Sequence, residues 1–254
     1  MRKRYFFFDI DGTLAPDHSL VLPAGTVACL RQLRAAGHFT AIATGRLEAD
    51  ATRFAQKYGF QAVVADGGHS LSVDGKLIFR KGLNHSACVQ LAKELESKNI
   101  PWAVNVENDT TRVANCQRFV DIAGDSYFTT TVQPNLDINQ YPEIYKVFIA
   151  CTQEEETEIC FYGLPVVRFQ PHQMFIEPVD KAAGIRQLMQ RLQAPCEDVV
   201  VFGDGENDIK MFDKTWVSIA MGNACPALKA AADYVTGNCD DNGIWDACRY
   251  YHWI

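Results

Sequence analysis

Four short segments hold the residues best suited to chemistry. The first is Asp9-Ile10-Asp11-Gly12-Thr13, which follows the aromatic run Tyr5-Phe6-Phe7-Phe8. Carboxylates at i and i+2 point to the same side of an extended segment, and Gly12 lets the chain turn away at once. Like charges this close are costly unless a cation neutralises them or one is protonated. A hard divalent ion with oxygen ligands, Mg²⁺, is the natural solution. The alternative, a surface loop with two solvated acids, sits poorly behind four aromatic residues. The second segment is Thr44-Gly45-Arg46, where a hydroxyl, amides at a helix start and a guanidinium together suit a phosphate group. A threonine in that place is also an ordinary helix cap. The third is Gly203-Asp204-Gly205-Glu206-Asn207-Asp208. Asp204 and Asp208 could complete a metal site opened by Asp9 and Asp11, or Asp208 could be an acidic cap favoured by the helix dipole. The fourth is Lys181, just ahead of a helix expected to start near Gly184; alone it reads as a solvated surface lysine.

These segments need a frame that collects strand ends. Residues 4–10 run apolar into their carboxylates, as in a parallel strand buried on both faces. Pro23 opens a helix with Val27, Leu30 and Leu33 on one side, and Gly37 closes it. Residues 39–43 predict a second strand. Leu47, Ala51, Phe54, Ala55 and Tyr58 keep helical spacing up to Gly59, and 61–65 form a third strand before Gly67-Gly68. The rhythm returns late in the chain. Ile185, Leu188, Met189 and Leu192 share one helical face, strands are expected at 198–202, 216–221 and 234–236, and a helix at 226–232. Strands alternating with helices predict a doubly wound α/β sheet, whose ligands bind at the carboxyl ends of its strands.

The middle breaks that pattern. From 82 to 179 come a helix around Cys88, Leu91, Ala92 and Leu95, and extended runs at 100–106 and 145–151. A short acidic helix is expected at 154–162, two adjacent strands at 165–169 and 174–178, and a loop at 135–141. Roughly 100 residues is domain-sized, so residues 82–179 are expected to be an α+β module inserted into a core made of 1–81 and 180–254.

Composition narrows the classes. The 254 residues carry 24 Lys+Arg against 31 Asp+Glu, a net charge of −7, which argues against a nucleic-acid or anionic-membrane partner. With 48% hydrophobic and 22% charged residues, the chain can bury a sizeable core. Asp9 and Asp11 cut the apolar run after Met1-Arg2-Lys3-Arg4 too short for a secretory signal, and no stretch is long enough for a membrane span. Nine cysteines, an odd number without a Cys-x-x-Cys pair, read as reduced thiols in a cytosolic, cytoplasmic protein.

In this order, the four segments resemble the four motifs of the haloacid dehalogenase superfamily. The particular resemblance is to its Cof-type phosphatases, which carry an α/β cap between the second and third motifs. Ala220-Met221-Gly222-Asn223-Ala224, Ala232-Asp233-Tyr234-Val235-Thr236 and Asp241-Asn242-Gly243-Ile244 extend the match. The resemblance implies a Rossmann-like α/β core with a cap. It also implies a Mg²⁺-dependent phosphatase taking a small-molecule phosphate ester, such as a sugar phosphate or pyridoxal phosphate. By that resemblance Asp9 is the nucleophile, and Asp11 the acid and base whose backbone carbonyl helps hold the metal. Asp204 is the third metal ligand. Thr44, with Gly45, and Lys181 grip the phosphoryl oxygens, while Asn207 and Asp208 position Lys181 and metal-bound waters and Arg46 supports the site. Asp66 departs from the family, whose loop here begins with Asn, so no phosphate contact is carried to its side chain. A phosphomutase or a non-catalytic phosphosugar sensor shares the frame, although a sensor needs neither Asp9 nor Asp11. A glycosyltransferase with an Asp-x-Asp metal site would place a nucleotide-binding fold upstream. In the insert, Asn105, Glu107, Arg112, Arg168 and His172 are candidates to face the leaving group, with His172 in the turn Gln170-Pro171-His172-Gln173 foremost.

Overall fold

A computed structural model describes every residue except 1, 17, 18, 20, 125 and 126; Met1, part of the basic start noted above, therefore lies outside it. The chain divides into two compact units, one running up to Arg80 and resuming as Val179–Ile254, the other Lys81–Pro178.

The first unit opens with β1 (Tyr5–Phe8), α1 (Ala24–Ala35), β2 (Phe39–Ala43), α2 (Glu48–Tyr58) and β3 (Ala62–Ala65). Gly59 ends α2 in the left-handed region, φ 77°. A hairpin follows, β4 (Ser70–Val73) and β5 (Lys76–Arg80). Its turn is Asp74-Gly75, both at positive φ, a strong hairpin signal that the periodicity reading passed over. β5 is the edge of the sheet and exposes Lys76, Leu77 and Ile78.

The second unit holds α3 (His85–Ser97), β6 (Trp102–Asn105), β7 (Thr111–Ala114), α4 (Gln117–Ala123) and β8 (Thr129–Val132). It continues with β9 (Lys146–Ile149), α5 (Gln153–Glu156), β10 (Val166–Gln170) and β11 (Gln173–Ile176). Its sheet runs β10-β11-β9-β6-β7-β8, antiparallel except for β7 with β8. α3 covers one face through Cys88, Leu91 and Leu95 against Trp102, Val104 and Ile149. α4 covers the other through Phe119 against Ala103 and Phe148. The helix expected at 154–162 is a single turn. Thr152 caps it reciprocally with Glu155, and the Thr157 hydroxyl bonds back to Glu154 O, a competition that ends short helices. The expected loop at 135–141 contains a 3₁₀ turn, Ile138–Gln140. β7 and β8 escaped the sequence reading because Thr-rich strands show no apolar alternation.

The chain then returns to the first unit with α6 (Lys181–Arg191), β12 (Val199–Gly203), β13 (Val217–Ala220), α7 (Pro226–Ala231), β14 (Tyr234–Val235) and α8 (Gly243–Tyr250). The sheet order is β14-β13-β12-β1-β2-β3-β4-β5, parallel from β14 to β3. The expected doubly wound sheet is thus present, with an antiparallel hairpin at one edge. Phe6 and Phe8 pack with α1, α2 and α8 on one face. Phe7 packs with Ile185, Leu188 and Met189 of α6 on the other. This is why β1 is apolar throughout. The chain winds from β1 toward β3 on one side and from β12 toward β14 on the other. The sheet therefore changes direction between β1 and β12, the place where α/β folds open a crevice at the strands' carboxyl ends.

Candidate active site

Asp9 lies immediately beyond β1, its amide donating to Phe202 O of β12 at 3.1 Å. It therefore sits beside Gly203 and Asp204. Asp11 and Gly12 follow in a tight turn, and Gly12 has φ +75°. A Cβ there would lie 2.2 Å from Asp204 Oδ2, so only glycine allows the two acidic segments to approach this closely. Thr13 Oγ1 donates to Asp204 Oδ1 at 2.7 Å. Asn223 Nδ2 donates to Gly12 O at 2.8 Å, fixing the turn from the far side. Sequence reasoning counted Asn223 only as part of a matching segment. Its bond to a backbone carbonyl more than 200 residues away leaves no local signal.

Lys181 is the first residue of α6 rather than a residue ahead of it. Asp180 caps that helix by accepting from Ala183 N at 3.0 Å. The ammonium is fully buried and donates to Asp9 Oδ1 at 2.8 Å and Asp208 Oδ1 at 2.6 Å. Asp208 Oδ2 accepts from the amides of Asp204 and Gly205 at 2.9 and 3.1 Å. Asp208 thus holds both Lys181 and the Asp204 turn. Asn207 is exposed and forms no bond to Lys181 among the described residues, so the positioning expected of the two residues falls to Asp208 alone. The segment Glu206–Met211 is a 3₁₀ stretch.

Burial pushes the Asp9 carboxyl up to about 8; Lys181 pulls against it, while Asp208 and Asp204 add to it. Burial alone would lower the Lys181 ammonium, but the carboxylates of Asp208 and Asp9 outweigh it and raise the group above its ordinary value.

On the other side of β1, Thr44 is buried just past β2, with its hydroxyl accepting from Arg46 N at 3.2 Å. Gly45 is half-buried next to it. Arg46 does not stand open beside Thr44. It forks onto Asp11, Nε to Oδ2 at 2.8 Å and Nη2 to Oδ1 at 2.6 Å, and also reaches Asp50 at 3.3 Å.

Carboxylate oxygens of Asp9, Asp204 and Asp208 come within 4.8 Å of one another. Because both Asp208 oxygens already accept protein donors, the oxygens suited to a cation are those of Asp9 and Asp204. Asp9, Asp11, Asp204 and Asp208, with Asp50 sharing Arg46, outnumber the two cations Lys181 and Arg46. An acidic cluster of hard oxygen donors fits a divalent ion of the Mg²⁺ type.

In the second unit the structure corrects several candidates. Arg168 is committed to scaffolding: Nε bonds Glu156, and the terminal nitrogens bond the carbonyls of Cys151, Thr152, Gln170 and Pro171. Arg112 is buried over the rings of Phe119, Phe128 and Phe148. The Asn105 amide holds the turn before β7 through Asp109 O and Thr111 O. Glu107 and His172 are exposed, and His172 lines a surface depression with Cys151, Thr152 and Glu155. All nine cysteines are free thiols. Among the described residues, no helix is long and apolar enough to cross a membrane.

Paired acidic strand ends at the point where a doubly wound sheet reverses, bound by a buried lysine, place the chain among proteins that transfer phosphoryl groups. A profile of the haloacid dehalogenase-like hydrolases matches residues 6–248; the chain belongs to that family and is a phosphatase. YkrA of Bacillus subtilis (strain 168), a protein named as a phosphatase, is 29% identical, with 96% of each chain covered. A hypothetical protein of Geobacillus kaustophilus is 29% identical over the whole of both chains, with a TM-score of 0.85. The subclass IIB sugar phosphatase BT4131 is 26% identical, with a TM-score of 0.81, covering 99% of this chain and 100% of its own.

Proposed function

We propose that the protein is a Mg²⁺-dependent phosphatase of small phosphorylated metabolites, sugar phosphates or pyridoxal phosphate, working through an aspartyl phosphate on Asp9. The observation that carries the reading is the cluster of carboxylates around Asp9, which outnumber the cations beside them. A pocket with that excess repels a phosphate dianion until a divalent cation joins Lys181 and reverses the local sign. When bound, the ion would be held by Asp9, Asp204 and the backbone carbonyl of Asp11, and would supply positive charge to the phosphoryl oxygens. The likeness to a sugar phosphatase supports the sugar-phosphate class, and nine free thiols support a cytosolic setting.

The protein's own residues account for the two transfers. Lys181 draws one oxygen of Asp9 into place, leaving the other to attack phosphorus. The new Asp9 O–P bond forms as the bond to the leaving oxygen breaks, and Asp11 gives that oxygen its proton. Water then attacks phosphorus, Asp11 takes the water's proton, and the Asp9 O–P bond breaks to release inorganic phosphate. An Asp11 that donates a proton has to free the protonated oxygen from the Arg46 fork, because a guanidinium offers only donors, while its other oxygen can still accept. The arm of Arg46 released in this way can turn to a phosphoryl oxygen. Thr44 and the amides beside Gly45 complete the grip.

The test is a panel of sugar phosphates, nucleotides and pyridoxal phosphate with Mg²⁺ and no sugar bisphosphate activator. Release of inorganic phosphate from at least one metabolite is the expected result. No phosphate release, but isomerised sugar phosphate once a sugar bisphosphate is added, would establish a mutase instead, and binding without turnover under both conditions a sensor.

A further inference from the structure

An ion pair that plays no part in the two transfers lies behind the phosphoryl site. Asp66 accepts from Arg80 Nε at 3.0 Å and Nη2 at 3.3 Å, with side chains only 2% and 4% exposed. Asp66 opens the three-residue turn Asp66–Gly68, and all three of its residues have positive φ, at 47°, 59° and 101°. Aspartate is among the few non-glycine residues that adopt that region, at a conformational cost its surroundings offset.

The turn is bonded on both sides to groups assigned to the phosphoryl oxygens. Asp66 N donates to Arg46 O at 2.9 Å, and Gly67 N donates to Thr44 O at 3.1 Å. On its other side Asp180 N donates to Gly67 O at 2.9 Å, one residue before Lys181. A Cβ on Gly68 would lie 2.1 Å from Asp180 O, so the turn and the start of α6 are in direct contact. Arg80 is the last residue before the chain leaves the first unit, and Val179 is where it returns. Both crossings are therefore anchored on one turn.

We propose that Asp66 and Arg80 are positioning residues for phosphoryl binding. Their ion pair holds the turn in its left-handed conformation, and the turn fixes the spacing between Thr44 and Lys181. The proposal rests on the reading of Thr44 and Lys181 as the grip on phosphate. It also explains why an anion is tolerated at position 66: Arg80 supplies its counter-charge inside the core.

The experiment compares wild type with Asp66→Asn, Arg80→Gln, Arg80→Lys and the double variant Asp66→Asn/Arg80→Gln. Inorganic phosphate binding by calorimetry, and kcat and KM on p-nitrophenyl phosphate with Mg²⁺, are the readouts. Asp198→Asn serves as control. It weakens the pairs of buried Asp198 with the half-buried Arg4 and the exposed Arg2 before β12, at the opposite end of that strand from Asp204, and is expected to lower Tm without touching the turn. Each single variant is expected to weaken phosphate binding and raise KM about tenfold, since small misplacements of gripping groups are costly. The double variant is expected to lose no more than either single, and Arg80→Lys to recover part of the loss. Phosphate binding and KM unchanged from wild type, or changed no more than in Asp198→Asn at equal Tm, would overturn the proposal. If the single variants fail to fold, the double variant, which leaves no buried charge unpaired, and Arg80→Lys decide the matter on the same readouts. Wild type that neither binds phosphate nor hydrolyses the ester overturns the functional reading itself. Wild type that does both, with unaffected variants, overturns only the positioning role.

Discussion

Asp9 is a carboxyl whose surroundings disfavour its charge, yet its proposed task requires that charge. Asn at this position keeps the shape and leaves the Lys181 contact with Asp208 in place. Asp9→Asn is therefore expected to retain the native circular-dichroism spectrum and lose turnover by about 10³-fold or more. Retention of several per cent of activity would remove Asp9 as the attacking group. Asp11→Asn should spare aryl phosphates, whose leaving groups need little protonation, and depress alkyl phosphates far more. Equal losses would count against its acid role. Asp9 also sets a pH dependence. Its ordinary value is 3.8 and burial pushes it up to about 8, so between those values the folded state binds more protons than the unfolded one. Its contribution to stability therefore falls as pH rises through that window. A cation that binds the ionised carboxylate gains affinity over the same range. Without metal, wild-type Tm should decline from pH 5 to 8 relative to Asp9→Asn, and Mg²⁺ should raise wild-type Tm more at pH 8.5 than at pH 6. An equal rise at both would show that the Asp9 carboxyl is not held protonated at pH 6.

At the scale of elements, the site depends on two close approaches. The Gly12 turn lies against Asp204, and the turn before β4 lies against the start of α6. Gly68→Ala puts a methyl group into the Asp180 carbonyl at a φ of +101°. An unstrained Gly→Ala change stabilises by about 0.4–1 kcal/mol, whereas this strained one should destabilise by more than that, with kcat/KM falling because Lys181 starts that helix. A wild-type Tm would show that the turn can move away freely. Asp180→Ala removes only the cap of α6 and should cost about 1 kcal/mol in denaturant unfolding.

For the whole molecule, the proposed function gives leaving-group selection to the inserted unit, and each candidate there can be tested on its own. His172 is exposed in the turn between β10 and β11, whereas Arg168 is held by the carbonyls around it. His172→Ala should reorder a substrate panel while leaving hydrolysis of p-nitrophenyl phosphate nearly unchanged. Arg168→Ala should instead lower stability by about 2 kcal/mol, since four carbonyls lose a charged donor. A changed substrate ranking with unchanged Tm in Arg168→Ala would reverse that assignment.

The amino-acid sequence by itself determined what is local. Apolar runs ending in acids marked β1 and β12, helical spacing marked α1, α2, α3 and α6, and together they required a doubly wound sheet. That sheet in turn placed Asp9, Thr44 and Asp204 at strand ends. Side-chain partners were beyond its reach. Lys181 reaches Asp9 across 172 positions, and nothing near either residue distinguishes that lysine from a solvated one. Arg46 reads from sequence as an open phosphate ligand, and only the fold shows that Asp11 occupies its fork. Arg168 looked available for substrate until the turns around β10 enclosed it in carbonyls. Asn207 and Asp208 are neighbours in sequence, yet a 3₁₀ stretch turns one outward and buries the other. Periodicity records which face of an element is apolar. Which strands become neighbours, and hence which charges must neutralise one another, is settled only when the sheet assembles and water is excluded between its layers.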